Sequence, residues 1–154
     1  MKDFKVLLVD DEEDFVKSLS ERIEMRNLGS DVALDGSQAL EKIADKAPDV
    51  VVLDLKMPGM HGLEVLEQIK KAYPSIQVVI LTGHGSEEDE KKARKLGAFD
   101  YLSKPVGLDK LMETLSKAYG YKQKLEQSMM ASTFAEAGDF ETAKQLMKDE
   151  QKKK

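Results

Sequence analysis

The chain has 154 residues, 41% of them hydrophobic and 34% charged, with ten Gly, four Pro and no Cys. That length fits about one domain able to close an apolar core on its own, and the lack of Cys excludes a disulfide framework, a thiolate nucleophile and any zinc–thiolate or iron–sulfur site. A formal net charge of −5 argues against a protein whose main task is to grip phosphate backbones, an affinity that needs clustered Lys and Arg.

The first element is the apolar stretch Phe4–Val9 (FKVLLV), broken only by Lys5 and followed at once by five acids. It is too short for a secretory signal, and no apolar run approaches the roughly 20 residues that span a bilayer. The expectation is a cytoplasmic chain without membrane attachment. A helix follows, with Phe15, Leu19 and Ile23 on one face and Val16 beside them. After the joint at Asn27–Gly29, Asp31–Leu34 (DVAL) reads as a more polar strand, suited to a sheet edge. Asp35–Gly36 then leads into a helix with the stripe Ala39, Leu40, Ile43 and Ala44.

Beyond Pro48, Val50–Leu53 (VVVL) is a strand buried on both faces, and after Pro58–Gly59 the residues Leu63, Leu66 and Ile69 mark a third helix. Gln77–Leu81 (QVVIL) is another almost continuously apolar strand. Ser86–Leu96 is poor in apolar side chains; Ser86, followed by Glu87 and Asp89, is its N-cap. Ala98–Leu102 (AFDYL) is a mixed fifth strand, and Leu108, Leu111, Met112 and Leu115 form the last clear stripe. Strict β-α alternation predicts parallel strands joined by right-handed crossovers, with helices on both faces of one open, doubly wound α/β sheet.

After about Gly120 the pattern changes. Residues 121–154 carry seven Lys and six acids and no strand signal. Leu125, Met129 and Phe134, then Phe140, Ala143 and Met147, read as two short helices turning at Gly138–Asp139. Phe134–Ala143 looks like the turn of a tetratricopeptide unit, but one unit cannot bury its own face, so a plain helical hairpin is expected. The organisation is thus a domain over 1–120 and a helical extension over 121–154, too short and too near neutral for a DNA-binding domain.

In an open parallel sheet the functional site lies beyond the carboxyl ends of the strands. Just past these ends stand Asp10, Asp11, Glu12 and Glu13; Asp54; Thr82, with Gly83, His84 and Gly85; and Tyr101, followed by Lys104–Pro105. Carboxylates gathered this closely repel one another unless a cation joins them. Oxygen ligands without His or Cys suit Mg²⁺, which also engages phosphate oxygens. Lys104 supplies further positive charge, the Thr82 hydroxyl suits a phosphoryl oxygen, and a carboxylate can itself be the nucleophile in phosphoryl transfer.

The set Asp10–Asp11, Asp54 within DLKMPGMHG, Thr82, Tyr101 and Lys104–Pro105 resembles the receiver domain of two-component response regulators, over residues 3 to about 119. The resemblance implies a flavodoxin-like (βα)5 fold with strand order 2-1-3-4-5 and Mg²⁺-dependent transfer of phosphate from a sensor histidine kinase or phosphotransfer protein. By position, Asp54 is the implied phospho-acceptor. Asp11 is the implied direct metal ligand, Asp10 a ligand through water, and Lys56 a ligand through its main-chain carbonyl. Thr82 and Lys104 are the implied phosphoryl-binding residues and Tyr101 the aromatic that reorients on activation, and the Lys104–Pro105 peptide is implied to be cis. Lys56 and His84 flank the phosphorylation site and are read as tuning phosphate lifetime. His61 is read as a surface residue at a helix start.

The resemblance further implies a switch acting through protein–protein contacts on an unidentified downstream protein, with self-phosphorylation and self-dephosphorylation but no turnover of external substrate. A homodimer through the 86–119 face or the C-terminal tail is a further expectation. Two other readings compete. A haloacid-dehalogenase-type phosphatase wants a second acid two residues after its nucleophile, where Lys56 stands. A phosphorylation-independent adaptor would need none of the site residues, all of which are present.

Overall fold

A computed structural model describes residues 3–136, and of residues 130–136 the backbone alone. Five strands and five helices alternate along them: β1 (Lys5–Val9), α1 (Glu13–Met25), β2 (Gly29–Ala33), α2 (Gly36–Asp45), β3 (Val50–Leu53), α3 (Gly62–Ala72), β4 (Gln77–Thr82), α4 (Glu87–Lys95), β5 (Asp100–Ser103) and α5 (Leu108–Glu136). The strands pair in parallel in the order β2-β1-β3-β4-β5. This is the flavodoxin-like doubly wound sheet that the alternation and the resemblance predict.

Side chains of successive strand residues point to opposite faces, and the apolar runs of the central strands fill both. Leu7, Val9, Val51, Leu53, Val78 and Ile80 pack with Ala39 and Ile43 of α2, Val65, Leu66 and Ile69 of α3 and Ala93 of α4. Val6, Leu8, Val50, Val52, Val79 and Leu81 pack on the other face with Val16 and Ile23 of α1 and Leu111, Leu115 and Ala118 of α5. Full burial of each Leu, Ile or Val is worth about 1.5–3 kcal/mol, so β1, β3 and β4 are the rigid centre from which the site hangs. The edge strands β2 and β5 are only partly buried.

Helix ends follow local chemistry. In α1 the left-handed Asn27 (φ 66°) closes a Schellman motif, with Leu28 N–H donating to the Ile23 carbonyl and Asn27 N–H to that of Glu24. Gly97 (φ 103°) closes α4 in the same way, through Ala98 N–H to Ala93 and Gly97 N–H to Arg94. The second motif explains why β5 begins at Asp100 and not at the expected Ala98, which is still terminating the helix. Conversely β2 begins earlier than expected, because Gly29 and Ser30 pair with Lys5 and Val6 of β1. The sparse helix α4 buries one residue, Ala93, and is held by a capping box between Ser86 and Asp89, acids in its first turn and bases in its last.

Helix α5 runs unbroken through Gly120 to Glu136. A single Gly inside a helix costs only about 1 kcal/mol relative to Ala, and no Pro or capping residue accompanies it to stop the turn. The chain divides into two compact units, Met1–Tyr119 and Gly120–Lys154. The expected turn at Gly138–Asp139 and the second short helix lie outside the described residues. No helix among the described residues is long and apolar enough to cross a membrane.

Gly62, the first residue of α3, lets the helix rest directly on the end of β3. A β-carbon there would lie 2.5 Å from Leu55 Cα and closer still to the Asp54 carbonyl oxygen, and backbone cannot give way as a side chain can. Gly62→Ala is therefore expected to lower unfolding free energy by about 1–3 kcal/mol in urea titration. Gly29→Ala, whose β-carbon would meet only Lys5 Cγ at 3.8 Å, is expected to stay within about 0.5 kcal/mol of the parent.

Candidate functional site

The backbone ladders of β1 and β3 each run one residue past the strand. Asp10 N–H donates to the Ala33 carbonyl at 3.1 Å, and Asp54 N–H donates to that of Val9 at 3.0 Å. Since Val9 pairs with Leu53, the register sets Asp10 and Asp54 side by side at the carboxyl ends of two neighbouring central strands. Lys104 arrives from beyond β5, its N–H donating to the Thr82 carbonyl at 2.9 Å. The Lys104–Pro105 peptide is cis.

These side chains converge. Lys104 Nζ lies 2.6 Å from Asp10 Oδ2 and 3.6 Å from both Asp54 Oδ2 and Glu12 Oε1. It also sits over the Phe15 ring, 4.4 Å from the centroid, a cation–π contact that braces the ammonium. Asp10 is fully engaged, because its Oδ1 accepts the Glu12 N–H at 2.9 Å. Asp54 is not: its side chain is only 3% exposed, yet Oδ1 has no hydrogen-bond partner. A buried, unpartnered carboxylate oxygen is costly and calls for a ligand.

Electrostatics point the same way. Three carboxylates share one ammonium. Burial pushes the Asp10 carboxyl above its ordinary range and neighbouring Asp54 adds to this, against the pull of Lys104 and the Glu12 N–H. Burial alone would lower Lys104, but the hydrogen bond to Asp10 and the attraction of Asp10, Asp54 and Glu12 hold it above its usual value. Donor oxygens of Asp10, Glu12 and Asp54 lie within 4.8 Å of one another. A surplus of negative charge, hard oxygen donors and an orphaned oxygen fit a small divalent cation.

The remaining residues singled out in the sequence are placed as follows. Asp11 is exposed and stands outside the carboxylate set, which Glu12 joins instead. Lys56 and His84 are exposed. Thr82 is buried, and its hydroxyl oxygen is 3.4 Å from the His84 N–H that donates to it. Tyr101 packs against the α2–α3–α4 core with its hydroxyl buried and unpartnered. Burial first, then Asp89, Glu90 and Asp54, push that phenol above its ordinary value. His61 caps α3, its Nδ1 accepting the Leu63 N–H at 3.1 Å. Phe15 and Gly62 contribute to the site without having been given a role in the sequence: Phe15 reads as one more apolar residue of a helical stripe, and Gly62 only as the last residue of the DLKMPGMHG run.

A family model for the response regulator receiver domain matches residues 6–116. A putative NtrX-like response regulator of Rickettsia bellii is 42% identical over 115 residues, covering 73% of this chain and 24% of that protein. Among solved structures, a CheY-like receiver domain protein of Methanospirillum hungatei superposes with a TM-score of 0.77 at 27% identity, covering 80% of this chain and 98% of that one. A receiver domain protein of Clostridium thermocellum gives 0.75 at 34% identity, covering 79% and 98%. The chain spans about a fifth to a third of the length of the curated relatives it matches.

The raised Asp10 has a consequence for stability. A carboxyl held above its unfolded value penalises the folded state while ionised, and the penalty vanishes once pH falls below that unfolded value. In metal-free buffer at pH 7, Asp10→Asn is expected to move the urea midpoint upward. The gain should shrink on acidification through the carboxylate range; a gain that grows instead contradicts this account of the cluster.

Proposed function

The chain belongs to the response regulator receiver family, and from that premise we propose that it accepts one phosphoryl group on Asp54, with Mg²⁺ as cofactor, and relays the signal by changing protein–protein contacts. The carrying observation is Asp54 itself: a carboxylate with one oxygen left without a partner and the other 3.6 Å from the ammonium of Lys104.

Asp54 is the nucleophile. One of its oxygens forms the new O–P bond while the P–N bond to the phosphohistidine of a sensor kinase or phosphotransfer protein breaks, its electron pair leaving with the imidazole. Such transfers run mainly on positioning and charge neutralisation. Lys104 brings its charge preorganised, held by Asp10 and Phe15, so little reorganisation is required when negative charge builds on the phosphoryl oxygens. The Thr82 hydroxyl donates to one of those oxygens. Asp10 and Asp54, with Asp11 or Glu12 and the Lys56 main-chain carbonyl, would hold Mg²⁺, which when bound offsets the crowded carboxylate charge and orients the phosphoryl group.

Lys56 and His84, both exposed beside the site, govern water access to the acyl phosphate and so its lifetime. Turnover is confined to Asp54 itself. Lys56 lies where a phosphatase of the haloacid-dehalogenase type needs an acid, which speaks against hydrolysis of external phosphomonoesters. The partners are a histidine kinase or phosphotransfer protein upstream and a protein downstream, in the cytoplasm, with no direct DNA contact by these residues. Self-association through the 86–119 face or residues 121–154 is part of the same proposal.

Incubation with a small-molecule phosphodonor and Mg²⁺ should add one phosphate by intact mass, abolished by Asp54→Asn and by EDTA; an unchanged wild-type mass refutes the assignment. Thr82→Ala should still take up phosphate, but without the shifts in α4 and β5 amide resonances that the parent shows. Replacing Lys56 and His84 together should change the dephosphorylation rate by about tenfold, or about 1.4 kcal/mol of barrier. An unaltered rate removes both from a tuning role.

A further inference from the structure

The unpartnered hydroxyl of Tyr101 has a structural cause one loop away. A β-carbon built on Gly85 would fall well inside van der Waals contact of Tyr101 Oη, and would lie 2.8 Å from Cζ and 2.9 Å from Thr82 Cγ2. The hydroxyl occupies the volume that any other amino acid at position 85 would claim. Gly85 is not among the glycines with positive φ, which are Gly59 and Gly97, so its backbone conformation does not require glycine. What requires it is the ring.

We propose that the absent side chain of Gly85 forms the seat of the Tyr101 hydroxyl, so that the residue at position 85 sets the resting balance of the switch. Glycine admits the half-buried ring with its covered hydroxyl before any phosphate arrives, and a β-carbon expels it. The second half of this statement rests on the phosphoswitch reading above; the seat itself does not. Gly85 is a positioning residue acting through Tyr101 and Thr82, whose methyl group walls the same space. The loop around it suits such a device: Gly83, His84 and Gly85 are exposed, and the helix that follows buries only Ala93, so the segment is cheap to displace. The buried hydroxyl without a partner keeps the closed arrangement from being locked, since burying it uncompensated carries a cost.

The test compares the parent with Gly85→Ala, using ring-13C-labelled tyrosine and a soluble paramagnetic agent, with Tyr101→Phe to assign the resonance. In the unphosphorylated parent the Tyr101 signal should be protected. In Gly85→Ala it should broaden like that of Tyr121, which is 46% exposed. Thermal melting establishes that the variant is folded. Equal protection in parent and variant overturns the seat.

If the seated hydroxyl marks the state that holds phosphate, cutting that state to about a tenth raises the apparent requirement about tenfold. The phosphodonor concentration for half-maximal phosphorylation by intact mass should therefore rise about tenfold in Gly85→Ala. The rise should be smaller when Gly85→Ala is made in Tyr101→Phe, which has no hydroxyl to seat. Lost protection with an unchanged donor requirement overturns the link to the switch. A parent that takes up no phosphate at all refutes the receiver reading, while the protection measurement still decides the seat.

Discussion

Asp10 and Asp54 are adjacent because β1 and β3 are adjacent, and those strands are central because their side chains are apolar on both faces. The sheet thus forces two carboxylates together at its edge, Glu12 adds a third, and a single ammonium, Lys104, answers all of them. Everything else in the site follows from that imbalance. Asp10 satisfies Lys104 most directly, Asp54 keeps an oxygen without a partner, and the cluster stays poised for a cation and a phosphoryl group. Burial sharpens the effect, since charges at the strand ends are screened less than those on the open surface.

Rigidity is distributed unevenly around this cluster, and the distribution suits a switch. The residues that must hold still, Asp10 and Asp54, extend strands whose neighbours are almost wholly buried. The residues proposed to move, Thr82 and Tyr101, border a glycine-rich loop, an edge strand and a helix with one buried side chain. Helix α4 persists through its capping box and terminal charges, interactions worth fractions of a kcal/mol to about 1 kcal/mol each. A structure held by such terms can shift without unfolding the core.

Two glycines show how close packing connects scaffold and site. Gly62 brings α3 onto the end of β3, so the strand carrying Asp54 is braced from behind. Gly85 leaves room for a phenol that has no hydrogen-bond partner. Neither position needs glycine for its φ angle; both need it for the space that a β-carbon would occupy.

The order of elements, the central and edge strands, the N-cap at Ser86 and the gathering of Asp10, Asp54, Thr82 and Lys104 at one sheet edge were all legible in the amino-acid sequence. Apolar alternation and turn residues are local signals that act within a few positions. Local signals misjudged the ends of β2 and β5, where pairing with β1 and a helix-terminating motif decide. Tertiary structure alone decided that Glu12 lies close enough to Asp10 and Asp54 to join their carboxylates, that Phe15 braces Lys104, and that the Tyr101 hydroxyl fills the space at Gly85. Those contacts join residues from different elements through side-chain direction and excluded volume, which no spacing along the chain encodes.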